Sequence, residues 1–412
     1  SAHGLSPFSG LMVGRWYLLL SIGLLHSIGL FHSSWALPAP VQTFFVPLPE
    51  AQINRSLDEL DDRKGRVKSE MQSIISIANG GAGTIIYYDH WEDGYEFDIS
   101  NPTQATTEIW GDGVGSNGIP PGFGSDTLGA GQVVALRDVV TLPRNASQIR
   151  YDGRDKFATT SAVAVTRAAW ATSPGTVLAG SVEVCPVADY GRAFLSPIGE
   201  DVATDENFEY VALLVIPSRD GTQVLIDTDA DGSTDITRTL NQGESYHVDG
   251  GILKGASLTS SEPVEVHLIT GDRRDGYFAG YYETRWYTLY PTEAWSSDYY
   301  TPVGKSPNGQ RTFIYLYNPN AFSITIDYET RINSGSMAVG AGATEEFSMP
   351  VSSGAHFSNS NGSPFFAVAA VGSGNGSEGL FGLFDNDVYD WGFSLVPGGN
   401  LTPQVVVGWG PG

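Results

Sequence analysis

The chain has 412 residues, 41% of them hydrophobic and 17% charged, a composition that suits a folded protein and excludes a disordered one. Its formal net charge of −24 disfavours nucleic acid and anionic membrane surfaces as partners, because like charges repel. High glycine (50) and proline (23) point to an all-β chain with many turns, and the single cysteine, Cys185, excludes an intramolecular disulfide.

In chain order, the first element is a targeting segment. Arg15 precedes the apolar run 16–25, which continues through Leu30 and Phe31. Ser34 and Ala36 then place small residues at −3 and −1 of a cut after Ala36, the grammar of a signal peptide over residues 1–36. The alternative is an uncleaved signal anchor, which His26, His32 and two glycines weaken as a stable membrane helix. Met12 reads as the natural start, with 1–11 an extension of it. Residues 37–65 form an N-terminal extension with one helix, Pro49–Leu60, opened by Pro and Glu and carrying Ile53, Leu57 and Leu60 on one face.

Everything afterwards reads as strand and turn. Tyr190–Glu200 (YGRAFLSPIGE) and Trp295–Lys305 (WSSDYYTPVGK) share a pattern of aromatic, Pro and Gly, and Tyr389–Gly399 is a weaker copy. Thr159–Val165 (TTSAVAV) matches Ser260–Val266 (SSEPVEV). A strand running into an Asp turn recurs at Gly83, at Gly221 and, without its acidic loop, at Phe322–Asp327. These echoes divide the chain into three units of roughly a hundred residues, 66–202, 203–306 and 307–412. In the middle unit the expected strands are Phe208–Ile216, Thr222–Asp227, Ile236–Leu240, Ser245–Val248, Ala256–Thr259, Val264–Ile269, Trp286–Leu289 and Tyr299–Val303. About eight strands per unit suggests two sheets per unit, and so a six-bladed β-propeller-like array; the alternative is a row of β-sandwiches. The Gly/Pro-rich stretch 110–129 reads as an ordered surface loop.

The segments Ser260–Asp272 (SSEPVEVHLITGD) and Trp286–Val303 (WYTLYPTEAWSSDYYTPV) resemble the recurring signature of the N-terminal domain of IgG-Fc-binding-protein-like extracellular proteins. YYDHWEDGYE near the start and LTPQVVVG near the end extend the resemblance over most of the chain beyond residue 44. It implies a non-catalytic, secreted or surface-anchored adhesive module, and it brings no agreed catalytic residues with it.

The strongest chemical signal is the loop Asp227-x-Asp229-x-Asp231-Gly232-x-x-Asp235. Clustered carboxylates repel unless water screens them or a hard cation such as Ca²⁺ neutralises them. Arg238 stands where an EF-hand would place its closing acid, so the loop is not an EF-hand. The bland alternative is a solvated Asp-Gly hairpin turn. The echo loop offers Asp89 and Asp93 as ligands of a second cation, with Trp91 and Tyr95 as a sugar-facing surface; its bland reading is a polar hairpin whose aromatics cover the sheet. Asp272, Arg274, Tyr281 and Tyr282 make the most pocket-like ligand-binding cluster, against the reading of a salt-bridged loop. Glycan acceptors are expected at Asn54, Asn145, Asn361, Asn375 and Asn400, each in an Asn-x-Ser/Thr triplet.

Nucleophile and nucleotide motifs fail. There is no Gly-x-Ser-x-Gly. Gly113-x-Gly115-x-x-Gly118 leads into Pro120-Pro121 rather than a helix, and Gly304-Lys305-Ser306 lacks the upstream glycine of a P-loop. Cys185, in the apolar run VEVCP, reads as buried. The four histidines after the signal segment lack zinc-ligand spacing. The favoured function is therefore a secreted or cell-surface, non-catalytic adhesive or structural glycoprotein module. It is Ca²⁺-stabilised, binds an extracellular glycan or protein, and is open to self-association. The alternatives are a secreted carbohydrate-active enzyme with an acidic cleft, which needs only two acids about 5 to 9 Å apart, and a subunit of an extracellular filament or wall layer.

Overall fold

The computed structural model describes residues 37–60, 67, 70–173, 175, 178–202, 206–271, 284–305, 311–372 and 391–398. The expected signal segment, the 272–283 cluster with Asp272, Arg274, Tyr281 and Tyr282, and the acceptors Asn375 and Asn400 lie outside these residues. The described part is all-β with one α-helix.

The first nine elements are β1 (Gln42–Phe45), α1 (Glu50–Leu60), β2 (Glu70–Asn79), β3 (Ile86–Asp89), β4 (Glu108–Trp110), β5 (Val133–Thr141), β6 (Lys156–Thr159), β7 (Val163–Ala171) and β8 (Ala179–Glu183). They make two four-stranded sheets, ordered β1-β6-β3-β4 and β5-β2-β7-β8. In β5, Val134, Leu136 and Val140 are buried while Val133, Arg137 and Val139 are exposed, the alternation of a strand with one dry face. The dry faces share a core that includes Phe44, Ile75, Tyr88, Trp110, Leu136 and Phe157. Phe44 stacks on Phe157 at 4.8 Å between ring centroids.

Helix α1 starts where expected, just after Pro49, and buries Ile53, Leu57 and Leu60. They join a second core with Ala169, Ala171, Leu214 and Trp286, on the same face of β7 as Val165 but at the other end of the strand. Glu50, in the first turn, is buried and paired with the fully buried Arg167 of β7. Removing either partner would strand the other's charge out of water, a loss of about 3–5 kcal/mol.

Next come β9 (Gly191–Leu195), β10 (Tyr210–Pro217), β11 (Thr222–Asp227), β12 (Ile236–Leu240), β13 (Tyr246–Val248), β14 (Ser257–Gly271) and β15 (Thr284–Leu289). Strand β10 is apolar along its length because it is dry on both faces. Val211, Leu213 and Val215 face one core and Tyr210, Ala212 and Leu214 another. Two expected strands fuse into β14. Its first part, Ser257–Ser260, pairs with β11; its later part, Val264–Gly271, pairs with β10. The register on β9 shifts between Thr259 and Val264. Pro263, which has no N–H to give to a ladder, sits in that break. One long strand thus joins seven strands into a single, nearly closed sheet.

The last strands are β16 (Asp298–Thr301), β17 (Thr312–Tyr317), β18 (Ile324–Thr330), β19 (Ser334–Val339), β20 (Thr344–Ser348), β21 (Ala355–Ser358), β22 (Phe366–Val371) and β23 (Trp391–Ser394). They form sheets ordered β16-β21-β18-β19 and β20-β17-β22-β23. Their core is continuous with that of the middle sheet, from Phe194 to Leu395.

No radial array of blades is seen among the described residues. Successive strands cross between facing sheets instead: β2 lies in one sheet, β3 and β4 in the other, and β5 back in the first. Facing sheets around a shared core are the signature of the alternative layout, the β-sandwich. Strand counting could not separate the two, because both need eight strands per unit. The same order recurs along the chain as β4-β3-β6-β1, β12-β11-β14-β9 and β19-β18-β21-β16. Strands β9 and β16, which the sequence places at the ends of the first two units, pair with β14 and β21 of the units that follow.

Edge strands β8, β15 and β23 meet through side chains. Thr288 donates to the Glu183 carbonyl at 2.7 Å, and Ser394 to the Thr288 carbonyl at 2.5 Å. Gly180 of β8 lies under the Trp286 ring of β15, where an added Cβ would come within 2.1 Å of the indole. Gly180→Ala is therefore expected to cost roughly 1–3 kcal/mol by overpacking. The check is the urea midpoint of unfolding, and an unchanged midpoint would show that β8 and β15 do not press together at this point.

Candidate functional site

Two of the three Asp turns seen in the sequence occupy one position in the strand pairing. Asp89 closes β3 opposite Lys156 and Asp227 closes β11 opposite Ser257, the first residue of the facing strand in each case, whereas Asp327 lies inside β18 opposite Ser358, the last residue of β21.

At the first corner the chain fills its own polar needs. Asp89 is fully buried and accepts hydrogen bonds from the Glu96 N–H at 2.8 Å and the Thr107 hydroxyl at 3.4 Å. Burial lifts its pKa to about 6, against the pull of the Glu96 N–H and of Lys156. Lys156 is buried too, and its ammonium donates to the Glu96 carbonyl at 3.2 Å. Asp93 lies apart on the surface, where it accepts from the Thr106 hydroxyl at 2.6 Å. Among the described residues neither Asp89 nor Asp93 belongs to a cluster of three or more possible metal ligands.

The acids that do converge here are Glu92 and Asp155, around His90, with ligand atoms within 4.8 Å of one another. Protein groups already hold them. Asp155 accepts from the Tyr88 hydroxyl at 2.7 Å, and Glu92 from the Arg150 N–H at 3.0 Å. Arg144 pairs with both Glu92 and Asp152. His90 Nδ1 lies 3.5 Å from Asp155 and 3.0 Å from the Arg150 carbonyl. Burial opposes charge on the imidazole, but the hydrogen bond and charge of Asp155 outweigh it and lift its pKa to about 9. This is an internal ionic network that ties the loop 142–155 to the end of β3.

Trp91 and Tyr95, expected on a sugar-facing surface, serve the same network. Trp91 has the Arg154 guanidinium 4.2 Å from its ring centroid, with its indole N–H on Asp152 at 2.9 Å. The Tyr95 hydroxyl donates to the Arg154 carbonyl at 2.7 Å and lies beneath Gly243, where any Cβ would collide with it. The aromatic that does face solvent is Phe97, which is fully exposed. Its neighbours are pinned. Glu96 receives the Thr103 and Gln104 N–H groups at 2.6 Å each, and Asp98 receives the Ser100 N–H at 3.1 Å. The composition of YEFDIS gave no sign of which aromatic would point outward, because Tyr95 and Phe97 differ only in the phase of the turn.

At the second corner Asp227, Asp229 and Asp235 converge, with oxygens within 4.8 Å of one another. Asp231 is outside that group and caps the Ser233 N–H at 2.7 Å. Asp227 is only 8% exposed, whereas Asp229 and Asp235 are exposed.

Elsewhere, Cys185 is buried as expected, with its N–H on Glu265 at 2.8 Å and its thiol pushed up by burial and by the charge of Glu265. A thiol so placed is a poor nucleophile. Asn145 and Asn361 are exposed, while Asn54 sits half-buried in α1 with its amide on the Met71 sulfur at 3.5 Å. Among the described residues no helix is long and apolar enough to cross a membrane.

The multi-sheet β framework, whose first buried acidic corner braces its own loops, fits the class of extracellular binding modules. Residues 180–400, more than half of the chain, match the family described as IgGFc binding protein, and the chain belongs to that family. No curated protein and no solved structure matches it.

The ionic network sets a pH dependence. The pKa of His90 lies above its ordinary 6.5, so its contribution is complete below pH 6.5 and is lost as pH rises through about 9. Asp89, raised from 3.8 to about 6, acts in the same direction at lower pH. Thermal stability is expected to fall between pH 6 and 9.5, with His90 accounting for about 3 kcal/mol. Melting curves across that range check it: His90→Gln should flatten the upper part of the decline, and an equal slope in wild type and variant would exclude His90 as its source.

Proposed function

We propose that this chain is a secreted, non-catalytic module that binds an extracellular protein, and that three copies of one two-layered β unit, the middle one sharing β14 between its layers, carry the binding loops. The family match over 180–400 supports a binding role, and the family's name makes the Fc region of IgG the first partner to test. The recurrence of one strand order, with Asp89 and Asp227 at one position in the first two, supports the three copies. The signal-like segment 1–36 and the exposed acceptors Asn145 and Asn361 support an extracellular site of action.

The observation that carries a protein partner over a glycan is the contrast between the aromatics of one loop. Trp91 and Tyr95 have their polar atoms or faces taken by Asp152 and Arg154. Phe97 stands free on a turn that Glu96 and Asp98 hold rigid. A rigid exposed aromatic costs little entropy to bury and is the usual anchor of a protein interface. Surface plasmon resonance against immobilised Fc fragment is expected to show saturable binding that Phe97→Ala weakens at least tenfold without changing the melting temperature. Binding that is unaffected by Phe97→Ala would move the interface elsewhere, and no binding to Fc would remove that partner.

A further inference from the structure

The second Asp corner has a charge balance that the first does not need. Three carboxylates, Asp227, Asp229 and Asp235, bring oxygens within 4.8 Å of one another. Among the described residues no lysine, arginine or histidine forms an ion pair with any of them. Their hydrogen bonds use one oxygen each. Asp227 Oδ2 takes the Gly232 N–H at 2.8 Å, Asp229 Oδ1 the Asp231 N–H at 3.1 Å, and Asp235 Oδ2 the Thr228 N–H at 2.8 Å. The other oxygen of Asp227, Oδ1, is shut off from solvent and has no hydrogen-bond partner. A carboxylate oxygen left dry and unpaired is among the more costly arrangements in a folded chain.

The equivalent position in the first corner shows how the same fold meets that cost when the positive charge is built in. Across the ladder from Asp89 stands Lys156, buried beside it and drawing on its charge. Across the ladder from Asp227 stands Ser257, which brings no charge. The third hairpin ends β18 at Thr330, opposite Ala355, and turns into β19 with no aspartate at the corner. So a fixed cation accompanies the buried aspartate in the first copy, and neither the cation nor the extra acids are present in the third. Only the second copy combines a buried aspartate, two further carboxylates and a neutral residue opposite.

We propose that Asp227, Asp229 and Asp235 bind a Ca²⁺ ion, which fills at this corner the role that the Lys156 ammonium fills at the first. Oxygen-only ligands, two of them solvent-facing so that waters complete the shell, suit Ca²⁺ rather than a metal that prefers nitrogen or sulfur. Asp231 takes no part, since it lies outside the group whose oxygens come within 4.8 Å of one another. The proposal is independent of which partner the module binds.

The test uses the full chain, stripped with EDTA, in calorimetric titrations with CaCl₂ or MgCl₂ and in melting curves. Wild type is expected to bind one Ca²⁺ at the described site and to melt at higher temperature with Ca²⁺, with Mg²⁺ at least tenfold weaker. Asp229→Asn, a surface change that leaves folding intact, should weaken Ca²⁺ at least tenfold, and Asp227→Asn should abolish the response. Ser257→Lys should raise the melting temperature of the stripped protein and remove its response to Ca²⁺, because it restores the pairing of the first corner. Identical Ca²⁺ responses in wild type and Asp229→Asn, no response in wild type, or an equal response to Mg²⁺ would each overturn the assignment.

Discussion

The constraint on which the rest depends is that each stretch of chain is finished by a strand from the stretch before it. Strand β9 hydrogen-bonds to β14, and β16 to β21. Backbone N–H and C=O groups buried at these sheet edges have no water to turn to, so the donated strand satisfies them. Its aromatic residues enter the next core in the same step. Phe194 and Tyr299 are both buried in the continuous cluster that ends at Leu395. The units therefore cannot slide or hinge freely, and the loops they carry are held at fixed separations.

On that frame the Asp corners show how one backbone device takes on different electrostatic solutions. An aspartate at the end of a strand is useful first as a turn former, because its carboxylate can accept backbone N–H groups across the bend. Asp89 accepts Glu96 and Asp227 accepts Gly232 in this way. What the residue opposite brings then decides whether the corner is self-sufficient. Lys156 makes the first corner part of a buried network that reaches Trp91, Tyr95 and the turn at Gly243, and its polar groups become structural. With Ser257 in that place the second corner stays open on the surface.

Much of this was legible in the sequence. The helix after Pro49 and the strands Thr222–Asp227 and Ile236–Leu240 fall where period and turn residues put them, because each has a clean apolar pattern bounded by Pro, Gly or Asp. The fusion of two strands into β14 was hidden by Pro263, which reads as a terminator but here marks a break in pairing rather than an end of the strand. Connectivity was hidden altogether, since two sheets of four and two blades of four have one strand count. At the site, the Asp227 loop was visible from spacing. The roles of Lys156 and Ser257 were not, because they lie some thirty residues or more from their partners in sequence and meet them only through register. Phe97 was invisible for a different reason: exposure at a turn depends on backbone direction, which composition does not encode.

The offset between repeat and sheet has a practical meaning for anyone dividing this chain. Sequence similarity draws the border of the middle unit after residue 202, but a fragment begun there lacks β9 and leaves the outer edge of β14 open to water or to another chain. The segment whose middle sheet keeps all its strand pairings starts before Gly191 and stops before Asp298, one strand earlier at both ends. A strand peptide spanning Gly191–Leu195 is, by the same geometry, the natural complement of a fragment cut at the sequence border.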